Sequence, residues 1–158
     1  MMSPATMALF LVLHVLGAVI WVGGMFFAYL VLRPAAGALD PAVRFPLWQG
    51  VLARFFAWVW ASAVAQLVTG FAMVLVFYGL GGLAAMPAHV HLMMAVGLVM
   101  AAIFISVFLI PWRRYRAAVA AHDWQGSGHH LNWIRRLVAA NLVLGLAVVA
   151  VAAGGRYL

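Results

Sequence analysis

Four long apolar segments dominate the pattern of hydrophobic and polar positions along the chain. They cover about residues 5–32, 55–80, 89–110 and 131–153, with the first turn of the last one reaching into the interface. Each is longer than the ~20 residues that a helix needs to cross a bilayer. The alternating pattern of a membrane β-barrel is absent. The sequence therefore predicts an all-α protein, an integral membrane four-helix bundle that forms one transmembrane domain over residues 1–158.

Composition supports this prediction and narrows the chemistry. Hydrophobic residues make up 69% of the 158 residues and charged residues only 7%, and the mean hydropathy is +1.15. A water-soluble domain of this size could not carry so apolar a surface, so we expect a multi-pass membrane protein. The chain has 0 cysteines. Thiolate metal sites and disulfides are thus excluded, and histidine, methionine and backbone oxygen remain as metal ligands.

The nine basic residues are all arginines, and their distribution predicts the orientation of the bundle. Arginines flank the first and third connections, whereas the second, Gly79 to Ala88, carries no charge. By the positive-inside rule, both termini face outward, on the periplasmic side of a bacterial inner membrane. The net charge of +7 then belongs to arginines beside anionic lipid headgroups, so the lipid bilayer is the expected partner and no nucleic acid is.

Two connections carry signals of turns. The first, Arg33 to Gln49, contains three prolines and is expected to include an interfacial turn that carries Phe45 and Trp48. The first half of the third, Trp112 to Asn132, is compatible with an extension of the third helix. We expect the chain to break at Gly126-Ser127-Gly128.

His14 is the most informative polar residue, because it lies in a run from Ala5 to Leu32 that contains no charged residue. An imidazole at this depth must be hydrogen-bonded to another helix or bind a ligand, and both interpretations stay open. Gly17, Trp21 and Gly24 share its helical face. Small residues on such a face allow close approach of a helix or of a flat cofactor, and we take these three as candidate cofactor contacts.

Further histidines open the third helix, in the string MPAHVHLMM. On a helix His89 and His91 point about 200° apart, and we expect His91 to face the interior. Helical rise places His14 and His91 ~8 Å and ~12–13 Å to the outer side of the midplane. Two histidines on different helices are what axial ligation of haem b requires. Alternatively, the outer mouth of the bundle supplies soft ligands for copper, namely Met86, His89, His91, Met93 and Met94.

A polar stripe runs along the second helix. Its members are Ser62, Gln66, Thr69, Gly70 and Met73. We interpret this stripe as a source of interhelical hydrogen bonds. A polar contact to a cofactor edge or a quinone stays open as the functional alternative.

The first helix also carries a family-like motif. It reads His14-x6-Trp21-x-Gly23-Gly24-Met25-Phe26-Phe27-x-Tyr29-x3-Arg33-Pro34. This string resembles the first helix of the copper-resistance D (CopD) family of small bacterial inner-membrane proteins. It is also similar to that of the HemJ-type protoporphyrinogen oxidases. The strings HVHLM at 89–93 and WRRYR at 112–116 resemble stand-alone CopD-like proteins.

The two resemblances imply different functions. CopD-like proteins are associated with passage of copper across the inner membrane, and HemJ-type proteins with haem b and the oxidation of protoporphyrinogen. The HemJ pattern has His-x-Lys at the start of helix three, where this chain has His89 and His91 and contains no lysine. This departure argues against protoporphyrinogen oxidase activity, and it adds a second histidine facing His14.

We therefore predict a haem b protein of the inner membrane, ligated by His14 and His91, that mediates electron transfer or membrane redox chemistry with a quinone or a periplasmic redox partner. Membrane oxidoreductase activity is compatible with this hypothesis, but whether the chain is an enzyme stays open. The alternatives are CopD-like copper transport or copper binding through the outer Met/His cluster, and a HemJ-like protoporphyrinogen oxidase. Glycine-bearing helix faces would allow a homodimer.

Overall fold

The computed structural model describes residues 3–79 and 86–154, and every regular element in those ranges is helical. Its helices are α1 (Pro4–Phe26), continued by a π-helical segment (Phe27–Leu32) and by α2 (Arg33–Gly37), then α3 (Pro41–Tyr78), α4 (Ala88–Leu109), α5 (Pro111–Ala120) and α6 (Trp124–Gly154).

Four helical stretches within the described residues are long and apolar enough to span a membrane. They confirm the predicted all-α, four-helix membrane architecture. The side on which the termini lie stays a prediction. Most of the predicted outer connection, residues 80–85, lies outside the described residues.

The spans pack mainly with their neighbours in sequence. α1 packs along α3, and both α4 and α5 pack along α6. Contacts of α1 with α6 join the two halves. The backbones of α3 and α4 come close at few positions although the two helices follow one another in the chain, and, among the described residues, aromatic side chains bridge them in the arginine-rich half only. The bundle therefore has a loose seam between α3 and α4.

Aromatic side chains fill the arginine-rich half of the bundle. Phe56 of α3 packs edge-to-face against Phe104 at 5.7 Å and Trp112 at 5.2 Å between ring centroids. Trp21 of α1 joins them through Phe104, with the ring centroids 6.0 Å apart. Each such pair adds about 0.5–1.5 kcal/mol beyond the area that it buries. This half of the bundle is consequently the densely packed one.

The interfacial turn predicted within residues 33–49 is confirmed only around Ala38 to Asp40; the expectation of a turn that carries Phe45 and Trp48 was wrong, because the rest of this segment is helical. Pro41 lies in the first turn of α3, where a missing backbone N–H breaks no helical hydrogen bond. Pro34 lies inside the continuous helical stretch Pro4–Gly37, directly after the π-helical segment. Pro46 lies inside α3 and removes one such bond near the start of that helix.

The predicted break at Gly126-Ser127-Gly128 was also wrong, since α6 already begins at Trp124. The chain turns earlier, at His122, whose φ is 54°. Asp123 then caps α6, and its Oδ1 accepts the N–H of Gly126 at 2.9 Å. A Cβ at Gly126 would overlap the Asp123 carboxylate. Glycine at this position therefore makes room for the cap and does not end a helix.

Tyr115 of α5 ties this end of the bundle together. Its buried hydroxyl donates to the backbone carbonyl of Phe45 at 2.8 Å. Replacing Tyr115 by phenylalanine removes this bond, and we expect the free energy of unfolding to fall by about 1 kcal/mol. Reversible unfolding in detergent measures the change. Tyr29→Phe is the matched control, because the Tyr29 ring lies under Arg33 at 4.8 Å and phenylalanine keeps that ring. Equal losses in the two variants would contradict this role of the Tyr115 hydroxyl.

Candidate functional site

A cavity of about 330 Å³ lies in the half of the bundle away from the arginines, among α1, α3, α4 and α6. Its volume is at the lower end of the ~300–1,000 Å³ range of small-ligand sites. The described side chains that line it are mostly apolar and include no charged group; the polar ones are His14, Trp21, Gln66 and Tyr78. Thioethers are its other distinctive groups, supplied by Met73, Met93, Met94 and Met100.

The cavity opens sideways at the seam between α3 and α4. Phe71, Phe77 and Leu98 line it and are themselves 46%, 65% and 45% exposed. These side chains lie on spanning helices, so the opening faces lipid rather than water. Ligands in this cavity are therefore held in a dry environment.

His14 is held in the cavity wall by a hydrogen bond between α1 and α3. Its Nδ1 lies 2.9 Å from Oγ1 of Thr69, and the same Oγ1 lies 2.6 Å from the backbone oxygen of Ala65. A threonine hydroxyl has one hydrogen, and a carbonyl oxygen can only accept. The Thr69 hydroxyl therefore donates to Ala65 and accepts from Nδ1–H of His14.

This arrangement decides the tautomer of the neutral imidazole. With the proton on Nδ1, Nε2 of His14 carries a free lone pair. A hydrogen bond to the other ring nitrogen is how proteins orient a metal-binding histidine. His14 lines the cavity, and in this tautomer the hydrogen bond to Thr69 does not use the lone pair of its Nε2.

Glycines on α1 and α3 allow the two helices to pack closely around His14. A Cβ at Gly70 would lie 3.2 Å from Cε1 of His14, and a Cβ at Gly17 would lie 3.1 Å from Cγ of Gln66. Gly24 faces the ring of Phe55 in the same way. Among the predicted cofactor contacts, Gly17 and Gly24 therefore belong to the α1–α3 packing surface, and Trp21 lines the cavity.

The histidines of α4 lie elsewhere. His91 is exposed, and its Nδ1 is 3.3 Å from the backbone oxygen of Pro87. Neither His89 nor His91 is among the described residues that line the cavity. Joint ligation of one metal by His14 and His91 stays a prediction, and these side-chain positions do not bring the two together. Within residues 3–79 and 86–154, no three His, Asp or Glu side chains form a metal-binding group.

Comparison with known protein families assigns the chain to a class. The model of the family described as Copper resistance protein D (CopD) matches residues 49–154, more than half of the chain. The chain belongs to the CopD family. No curated protein and no solved structure matches it. The family assignment confirms the CopD-like resemblance of the sequence, whereas nothing in these comparisons supports the HemJ-type resemblance.

The CopD match covers three of the four walls of the cavity. It begins within α3, extends through α6 and leaves out α1, which carries His14. Of the residues predicted as metal ligands, His14 and Met94 line the cavity, whereas His89, His91 and the buried Met86 are not among its described lining.

Sequence reasoning named Met93 and Met94 as soft ligands of the outer mouth, but it missed two further thioethers of the cavity wall, Met73 and Met100, and the role of Thr69 as the partner of His14. Met93 and Met100 were available as a signal, because residues seven apart share one helical face. Met73 and Thr69 belong to the polar stripe of α3, which does supply an interhelical hydrogen bond, as interpreted. That stripe and His14 meet at the same cavity.

Proposed function

We propose that this CopD protein takes up Cu(I) as its substrate in the cavity among α1, α3, α4 and α6. The observation that carries the proposal is the His14–Thr69 hydrogen bond, which leaves Nε2 free at a wall shared with methionine sulfur. Thioether and imidazole are soft and borderline ligands, and this combination selects Cu(I) over hard cations. Membership of the CopD family independently supports copper as the metal.

The cavity supports binding more than it supports an open pore. On the arginine-rich side it ends at Trp21, which is 5% exposed. Beyond Trp21 lies a separate cavity of only about 10 Å³, lined by Asn141 among others. A void of that size holds at most about one water molecule. Copper held in this cavity is therefore separated from the arginine-rich side by Trp21, and onward passage requires this side chain to move.

The residues present do not match the haem hypothesis well. Two axial ligands would have to reach one iron from opposite faces of a porphyrin. His14 is the sole histidine among the described residues of the cavity wall, and His91 is exposed on another surface.

The direct test is copper binding by the purified protein. The chain is titrated with Cu(I) in detergent, under reducing conditions and against a competing Cu(I) chelator. We expect one Cu(I) per chain. A reduced-minus-oxidised visible spectrum is recorded on the same sample. Failure to retain copper against a weak chelator, or a low-spin b-type band with equimolar iron, would contradict the proposal.

Thr69 provides a sharper test of the ligand arrangement. Valine has the shape of threonine but cannot accept the Nδ1–H of His14. We therefore expect Thr69→Val to weaken Cu(I) binding about 10–100-fold, the usual effect of losing a group that orients a metal ligand. Thr69→Ser keeps the hydroxyl and should stay close to wild type. The chelator competition measures both affinities; equal weakening by serine and valine would show that the hydroxyl does not orient His14.

A further inference from the structure

Three arginines gather at the end of the bundle opposite the cavity. Each guanidinium lies over an aromatic ring, Arg33 over Tyr29 at 4.8 Å, Arg44 over Phe45 at 5.0 Å and Arg135 over Trp48 at 5.4 Å. Arg135 lies within electrostatic range of both Arg33 and Arg44.

The chain offers these arginines little negative charge. It has two acidic residues against nine arginines, and one of the two, Asp123, caps α6 through its Oδ1. Like charges at close range repel, and a partly buried guanidinium loses hydration, so the cluster is costly unless an anion is bound there.

Two buried donors at the same place also lack an acceptor. Trp48 is 3% exposed, and neither its Nε1 nor Nε of the adjacent Arg135 has a hydrogen-bond partner in the part of the chain that the structure describes. Both groups can only donate. What this end of the bundle lacks is therefore an acceptor that carries negative charge.

We propose that Arg33, Arg44 and Arg135 form a binding site for a phosphate group. Phosphate presents several anionic oxygens to the fork of an arginine, and stacking on an aromatic ring leaves the donor edge of a guanidinium free. The cluster joins the start of α2, the first turn of α3 and the interior of α6, so a bound phosphate ties three helices together. The lipid surface supplies such groups as phospholipid headgroups, and the solution supplies them as free phosphate.

Lipid retention by the full-length protein tests this site. The protein is reconstituted with an equimolar mixture of phosphatidylglycerol and phosphatidylcholine, and the lipids that stay bound are identified by native mass spectrometry. The variant Arg33→Gln/Arg44→Gln removes two charges and leaves the partly buried Arg135 in place. Its control, Arg113→Gln/Arg136→Gln, removes two exposed arginines of α5 and α6.

We expect wild type and control to retain phosphatidylglycerol preferentially, and the Arg33/Arg44 variant to retain about tenfold less. Thermal melting in detergent with added inorganic phosphate, but no lipid, distinguishes free phosphate from phospholipid headgroups as the ligand. A stabilisation of wild type and control that the Arg33/Arg44 variant lacks supports the same site with soluble phosphate as its ligand. Equal losses in the two double variants, or no preference for phosphatidylglycerol together with no effect of phosphate, would overturn the proposal. Cu(I) affinity should not change in either variant, so this result is independent of the proposed copper function.

Discussion

His14→Ala is expected to weaken Cu(I) binding by about 100-fold or more. The substitution removes the nitrogen that we propose binds the metal, and its effect should exceed the ~10–100-fold loss that follows from disturbing a supporting hydrogen bond. Four methionines remain in the cavity wall, so residual weak binding is expected. The affinity is measured against a competing Cu(I) chelator, in the same detergent as for wild type.

His91→Ala is the matched control for this measurement. It removes an imidazole from α4 that is exposed and lies near the Pro87 carbonyl, and Cu(I) affinity should stay within about twofold of wild type. Thermal melting of both variants shows whether loss of the His14–Thr69 bond has unfolded the protein. If His91→Ala loses copper and His14→Ala keeps it, the metal is bound at the outer Met/His cluster instead.

Leucine at Gly24 is expected to lower the free energy of unfolding by about 1–3 kcal/mol, as overpacking of a closely packed interior does. Gly24 lies where α1 crosses α3, and even a Cβ at this position would overlap the ring of Phe55. Phe55 is itself packed beside Phe56, with the ring centroids 6.3 Å apart. The helices would have to separate to admit a larger side chain. Reversible unfolding in detergent or bicelles gives the difference.

The neighbouring glycine supplies the control. A Cβ at Gly23 meets none of the described atoms within 4 Å. Gly23→Leu therefore adds an apolar side chain to the outside of α1 and should leave stability unchanged or slightly higher, because leucine favours helix over glycine. Comparable destabilisation by both leucines would mean that the effect does not come from the α1–α3 contact.

The number of spans and the need of His14 for a polar partner could be predicted from the sequence, because both depend on local composition. A membrane span needs only length and apolar character. An imidazole in an uncharged apolar segment needs a polar partner whichever way the helices are rotated about their axes. Thr69 is that partner. The polar stripe of α3 already contained this residue.

The inward face of α4 could not be predicted. This helix is apolar on every side, so the pattern does not show which of its residues point into the bundle. His91 was expected to face inward, but it is exposed in the structure. Met93 and Met100 face the cavity instead. The rotation of α4 about its axis follows from its packing against α6, and this contact joins residues that are far apart in the sequence.

Helix ends were mispredicted where proline and glycine were taken as breakers. Pro46 is tolerated inside α3, and Gly126 is required by a carboxylate that caps the helix from three residues earlier. The π-helical turn over Phe27–Leu32 had no sequence signal either, although it brings the N–H of Arg33 to the carbonyl of Ala28. Such features follow from neighbouring side chains, which local propensity does not describe.

The loose seam between α3 and α4 also bears on how the protein assembles. Most helix contacts join sequence neighbours within the first two spans or within the last two, so the chain consists of two helical hairpins with mostly local contacts. Local contacts form early and fast, whereas contacts between the two hairpins form only after both hairpins have formed. Walls from both hairpins enclose the space beside His14. That space is completed only when the second hairpin docks on the first, so binding of the proposed copper would report the last step of folding.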